Sequence, residues 1–134
     1  MKKILLITFL SILGLFANDM PLKDDKNKIH NLHKTIYFSR GAKSINSEQD
    51  KKLQKHAKFL KNTKDVKLLL EGFTDNVGNR EQNHWIALDY AKACKERLVK
   101  MGIDASRISI TTYGSSKSKE AQIRDRKVEF IYYY

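Results

Sequence analysis

From residue 71 to residue 83 the chain reads Glu71-Gly72-Phe73-Thr74-Asp75-Asn76-Val77-Gly78-Asn79-Arg80-Glu81-Gln82-Asn83, and between its two glycines the Asp75 carboxylate stands beside the Thr74 hydroxyl and the Asn76 amide. The chemistry such a set offers is recognition. A carboxylate accepts hydrogen bonds from a cation, and unpaired main-chain N–H groups at the start of a helix hold a carboxylate or another anionic group. Asp75 also has a plainer reading, because an aspartate ahead of a helix caps it. Val66, Leu68 and Leu70 alternate with Lys67, Leu69 and Glu71 at the two-residue period of a strand. Gly72 and Gly78 punctuate the turn after it, and a long helical pattern follows. Asp75 is therefore predicted at the mouth of a strand-to-helix connection.

The elements that must hold this connection are legible on either side of it. Ile36 to Phe38 reads as a first strand. Ser47 to about Asn62 reads as a helix, with Ser47 and Asp50 at capping-box spacing and Leu53, Ala57 and Leu60 inward. The strand Val66–Leu70 precedes a helix from about Arg80 to Met101, which Gly102 stops. Ile108 and Ile110 mark a third strand, and Val128, Phe130 and Tyr132 a fourth. This order predicts an α/β fold, a small sandwich of a four-stranded mixed sheet with two main helices packed on one face. The single cysteine, Cys94, shares a helical stripe with Ala87, Ala91, Leu98 and Met101, which points to packing rather than reactivity. Trp85 and Tyr90 read as core or rim residues of the same helix. The closing Tyr132-Tyr133-Tyr134 fits either a packed sheet edge or a partner contact.

Composition bounds the rest. A chain of 134 residues holds one domain, and 26 basic against 15 acidic residues give a net charge of +11. Lys2 and Lys3 precede an apolar run from Ile4 to Phe16 that ends at Ala17, the pattern of a secretory signal over residues 1–17. An uncleaved membrane anchor is the alternative, although the run falls short of the roughly 20 residues a bilayer needs. Residues 18–34 read as a polar linker and 35–134 as the domain. Export argues against nucleic acid as the partner of the positive charge. The lysines at 51, 52, 55, 58, 61 and 64 look like a solvated helix face, with attraction to anionic partners as the functional residue of that charge. No G-x-S-x-G, phosphate loop, zinc-ligand set or cysteine–histidine pair is found, and His30 and His33 lack a third ligand. No catalytic residue, metal site or cofactor is expected.

The blocks quoted above resemble the OmpA-like peptidoglycan-binding domain, whose signature runs as an apolar strand, G-x-T-D-x-x-G, an asparagine and a long helix. Further stretches are similar: Ile36-Tyr37-Phe38 with Gly41-Ala42, Gly102-Ile103-Asp104-Ala105-Ser106-Arg107-Ile108 followed by Tyr113-Gly114, and Arg126-Lys127-Val128-Glu129. The resemblance covers about residues 35 to 132. It implies a periplasmic module, possible association with the outer membrane, and peptidoglycan as ligand, with outer-membrane or envelope-complex proteins as further partners. It also implies ligand contacts at Asp75, Thr74, Asn76, Asn83 and Arg126, with Asp75 accepting hydrogen bonds from the ammonium of the stem peptide's diamino acid. The family's helix carries an arginine fifteen residues after the aspartate, and this chain has Tyr90 there, preceded by Asp89. A neutral hydroxyl gives a weaker bond than a two-pronged guanidinium, so weaker or altered binding is expected at Tyr90, with Arg80 as a candidate replacement cation. The contrasting expectation is an OmpA-like protein-interaction domain that has lost peptidoglycan binding. A third reading keeps the leader as a real membrane helix of a stator-type subunit. Cys94 does not follow the leader, so no covalent lipid anchor is expected.

Overall fold

The structure, a computed structural model, describes residues 32–118 and 125–134. The expected leader, nearly all of the expected linker and His30 lie outside the described residues. Strand β1 is Thr35–Tyr37, helix α1 Ser47–Asn62, β2 Lys67–Phe73, α2 Arg80–Lys100, β3 Ile108–Gly114 and β4 Lys127–Tyr133, with a 3-10 turn at Ala105–Arg107 leading into β3. The sheet order is β1-β4-β2-β3. The β2–β3 pair is parallel, while β4 runs antiparallel to both β1 and β2. The predicted four-stranded mixed sheet with two helices on one face is the observed architecture. Ile36, Leu68, Leu70, Val128 and Phe130 from the sheet meet Leu53, Leu60, Ala87, Ala91, Cys94 and Leu98 from the helices, all buried. Burial pushes the Cys94 thiol up to about 12, which leaves it an inert packing residue.

Strand β1 lies one residue earlier than expected, and the cap of α1 and the end of β2 also differ, the last two for a capping and a steric reason. The capping box of α1 is set one residue earlier: Asn46 Oδ1 accepts from the Gln49 N–H, and Gln49 Oε1 from the Asn46 N–H, both at 2.8 Å. Asparagine is as good a cap as serine, and Gln49 also reaches the Tyr37 carbonyl at 2.6 Å, tying the helix start to β1. Strand β2 runs past Gly72 to Phe73 instead of stopping at Leu70. Gly72 is a close-approach residue, because a Cβ there would stand 2.1 Å from the Ala87 carbonyl oxygen of α2. Gly78, at φ +89°, is the turn glycine.

The end of the sheet where β2 begins is closed by side chains that satisfy main-chain groups. Arg107 Nη1 donates to the Leu60 carbonyl at 2.9 Å, Nη2 to the Thr63 and Val66 carbonyls at 2.8 Å each, and Nε to Val66 at 3.1 Å. It thereby adds a donor to carbonyls at the C-terminal end of α1 and in the turn that leads into β2, two of which also accept main-chain bonds, Leu60 from Thr63 at 3.4 Å and Thr63 from Val66 at 3.2 Å. Nearby His56 is 1% exposed, stacks on Phe130 at 4.2 Å, and is hydrogen bonded to the Tyr132 hydroxyl and, at 2.9 Å, to the His33 carbonyl. Burial lowers its pKa to about 4. Tyr132 is thus tied into the domain, while Tyr133 and Tyr134 are exposed, as is Trp85. Among the described residues no helix is long and apolar enough to cross a membrane.

Candidate functional site

At the other end of the sheet, the register of β2 and β4 does what no local sequence pattern reveals. Phe73 pairs with Lys127 in antiparallel order, so the residues just beyond, Thr74 with Asp75 and Arg126, are carried together. The Thr74 N–H donates to the Gly114 carbonyl at 2.8 Å and pins the loop to β3. Asp75 Oδ1 accepts from the Val77 N–H at 3.2 Å, a local aspartate turn. Its Oδ2 accepts from Arg126 Nη1 at 2.7 Å, while Arg126 Nε donates to the Phe38 carbonyl at 3.1 Å. Arg40, in the loop after β1, brings Nη2 to 3.5 Å from the same Oδ2. One carboxylate thus faces two guanidiniums. The Asp75 and Arg126 side chains are only 5% and 11% exposed, but that of Arg40 is 62% exposed.

Burial alone would push the Asp75 carboxyl up. The hydrogen bonds from Arg126 and Val77 and the charges of Arg126 and Arg40 outweigh it and hold the group below the usual carboxylate range. Tyr90 closes the cluster from α2, buried and stacked on Phe38 with ring centroids 4.4 Å apart and planes 12° apart. Burial and the Asp75 charge raise its hydroxyl pKa, against the pull of Arg126 and Thr74.

Of the residues expected from the sequence, Asp75, Thr74, Tyr90 and Arg126 come together. Several expectations need correction. Asp75 is not an open acceptor but a buried, ion-paired one. It does not cap α2 either, since Asn79 does so by accepting from the N–H groups of Glu81 at 2.8 Å and Gln82 at 3.4 Å. Arg126 pairs with Asp75 and not with the acidic residues beside it in sequence: Glu129 is taken by Lys127 at 2.6 Å and Asp125 accepts from Ser118 at 3.0 Å. Arg80 is exposed and lines a different hollow of about 220 Å³ with His84, Thr112 and Tyr113, so it is not the replacement cation. Asn76 lies exposed in the loop. Asn83, in the first turn of α2, is buried, its Nδ2 without a hydrogen-bond partner among the described residues. Arg40 was not anticipated. The only signal for it was its place two residues after Phe38, whose carbonyl Arg126 grips. Among the described residues no group of three or more histidine, cysteine or acidic side chains is placed to hold a metal ion.

The OmpA family profile matches residues 37–129, which runs from the last residue of β1 through the Asp75 cluster to Arg126 and the start of β4. The chain belongs to the OmpA family. Within it, the chain is 34% identical over 83 residues to the peptidoglycan-associated lipoprotein of Buchnera aphidicola subsp. Baizongia pistaciae, covering 62% of this chain and 48% of that protein. It is 34% identical over 85 residues to the lipoprotein of the same name from Pasteurella multocida, 63% of this chain and 57% of that one. Outer membrane protein A of Buchnera aphidicola subsp. Schizaphis graminum is 31% identical over 112 residues, 81% of this chain and 32% of the other. The chain thus spans about half the length of the curated lipoproteins it matches. Among solved structures, the peptidoglycan-associated lipoprotein of Burkholderia pseudomallei superposes with a TM-score of 0.72 at 23% identity, covering 84% of this chain and 99% of that one. The C-terminal domain of Helicobacter pylori MotB gives 0.66 at 21% identity, with 75% and 84% covered. The fold of this OmpA-family domain is that of these α/β domains.

Proposed function

We propose that this OmpA-family protein is a periplasmic, non-covalent peptidoglycan-binding module that tethers the wall to the outer membrane or to an envelope complex, and that it recognises the diamino acid of the stem peptide. The relatives named for association with peptidoglycan support the ligand class. The observation that carries the reading is the charge imbalance at Asp75, one carboxylate against the guanidiniums of Arg126 and Arg40. Arg126 is committed to Asp75 and to the Phe38 carbonyl, whereas Arg40 approaches from solvent and adds an unbalanced positive charge. A zwitterionic ligand end matches this arrangement. Its ammonium takes the edge of Asp75 that Arg40 now covers, and its carboxylate takes the displaced Arg40 fork, a charge-assisted and two-pronged bond. Arg40 would then supply from the β1–α1 loop the cation that α2, with Tyr90 in its place, does not. The role is binding, with no bond made or broken.

Co-sedimentation with isolated sacculi tests this. Wild-type protein is expected to pellet in 0.3 M salt, where nonspecific surface attraction is screened. Arg40→Ala, at a largely exposed side chain whose contact to Asp75 is a long 3.5 Å, is expected to lose at least about tenfold in affinity, and Asp75→Asn to lose binding altogether. If both variants pellet as the wild type does, the reading fails.

A second reading, an interaction domain that has lost peptidoglycan binding, draws on the sheet face that no helix covers. There Tyr37, Ile131 and Tyr133 are 40–45% exposed. Wild-type protein that stays in the supernatant at every salt concentration would favour it.

A further inference from the structure

A hollow of about 490 Å³ lies between the β1–α1 loop and the outer side of α2. We infer that it is a second subsite of the same ligand-binding surface, taking a carboxylate that the ligand carries beyond its zwitterionic end. This rests on the Asp75 and Arg40 reading above and extends it.

Position comes first. Tyr90, Ala93 and Arg97 recur at steps of three and four on one side of α2, so the hollow begins one turn from the Asp75 cluster, and Arg97 stands about 10 Å further along the axis. The facing wall comes from the loop that also carries Arg40, with Lys43 three residues on. At about 3.3–3.6 Å per residue, an extended peptide covers the rise of about 4.5 Å from Tyr90 to Ala93, at the near edge of the groove, in one to two residues and the rise to Arg97 in about three. Ala93, with only a methyl group, keeps the floor low.

Charge decides what the groove would take. Five ionisable side chains line it. Two of them cancel: Arg97 holds Asp50 through Nε at 2.5 Å and Nη2 at 3.3 Å, a pair that also ties α1 to α2. Lys43 and Lys100 remain against Glu96 alone, and all three are exposed. The balance left over is positive and solvent-facing, which favours an anionic group and disfavours a second ammonium. Lysine suits the task, because a point charge on a flexible stem accepts a carboxylate from a range of directions.

The test uses the full-length protein and two synthetic stem tripeptides ending in a diamino diacid, one with the glutamate α-carboxyl free and one with it amidated. Affinities are measured by calorimetry. Wild-type protein is expected to bind the free-carboxyl peptide about five- to tenfold tighter, the size of two exposed ion pairs. Lys43→Gln/Lys100→Gln should erase that preference and leave the amidated peptide's affinity unchanged. Glu96→Gln should widen it about two- to threefold. Lys64→Gln/Lys67→Gln, which removes the same charge away from the groove, should leave it intact. The subsite is overturned if wild-type protein binds both peptides equally, if the Lys43/Lys100 variant keeps the preference, or if the distant lysine pair abolishes it equally. Binding of neither peptide by wild-type protein would overturn the Asp75 reading and the subsite with it.

Discussion

The two ends of the sheet each hold an arginine from a family-like block, and they use it in opposite ways. At the closed end, Arg107 donates all its bonds to carbonyls of Leu60, Thr63 and Val66. Those acceptors are neutral and fixed, so the guanidinium staples the end of α1 to the start of β2. At the open end, Arg126 meets a carboxylate that a second, solvent-facing guanidinium also approaches. In the first set every donor ends on a fixed main-chain acceptor, whereas the second has a carboxylate shared by a buried guanidinium and a solvated one. Residue type and burial alone do not separate a staple from a site. What separates them is whether the charged partner is itself ionic and whether any of the groups can still reach solvent.

The sharpest way to break this contrast is to remove the carboxylate. Asp75→Ala leaves Arg126 buried without its partner, and we expect a loss of about 3–5 kcal/mol in unfolding free energy, measured in urea. A loss below about 1 kcal/mol would mean that water already screens the pair and that the open end is less enclosed than its geometry indicates.

Next in size is a pH effect at the closed end. His56 is held neutral, with a folded pKa of about 4 against an ordinary value of 6.5. Above pH 6.5 both states are unprotonated and nothing is lost. As pH falls from 6.5 towards 4 only the unfolded state takes up the proton, so stability declines by about 1.4 kcal/mol per unit, about 3 kcal/mol in all. The open end responds later. The Asp75 pKa is lowered, so its contribution persists above the ordinary aspartate range and is lost only as pH drops below it. Urea titrations at pH 7.5, 6, 5 and 4 should show the first loss, and His56→Phe should flatten it.

How far these two ends were legible in the sequence follows the same division. The periodicity of Val66–Leu70, the stripe through Ala87, Ala91, Cys94 and Leu98, and the alternation around Phe130 announce the sheet and helices, because burial on one face imposes a period. In the sequence Gly72 reads as a turn residue, because a glycine that admits a neighbouring backbone looks the same in one dimension as a glycine that bends the chain. The pattern puts Asp75 in its loop but does not mark its partner, since Arg126 lies 51 residues away and the β2–β4 register joins them. Arg40 had no motif to mark it. Its significance comes from the path of a loop, which no period or spacing encodes.

Arg107→Ala comes next, with an expected loss of about 2–3 kcal/mol as the Leu60, Thr63 and Val66 carbonyls lose a shared donor. Sacculus binding by the folded fraction should not change. A binding defect in folded Arg107→Ala protein would show that the two ends are coupled and that the contrast between them is too simple.

The smallest effect on stability is expected at Arg40, and it is the most discriminating. Arg40→Lys keeps the charge and removes the planar fork. Because the side chain is largely solvated and its contact to Asp75 is long, the unfolding free energy should move by less than about 0.5 kcal/mol. If Arg40 acts only as a diffuse positive charge, the lysine variant binds sacculi as the wild type does. If it grips a ligand carboxylate with two parallel bonds, affinity falls about three- to tenfold, between wild type and Arg40→Ala, at unchanged stability. A variant that loses stability and binding in proportion would instead place Arg40 with Arg107 among the staples, and the open end would then have no group left facing outward.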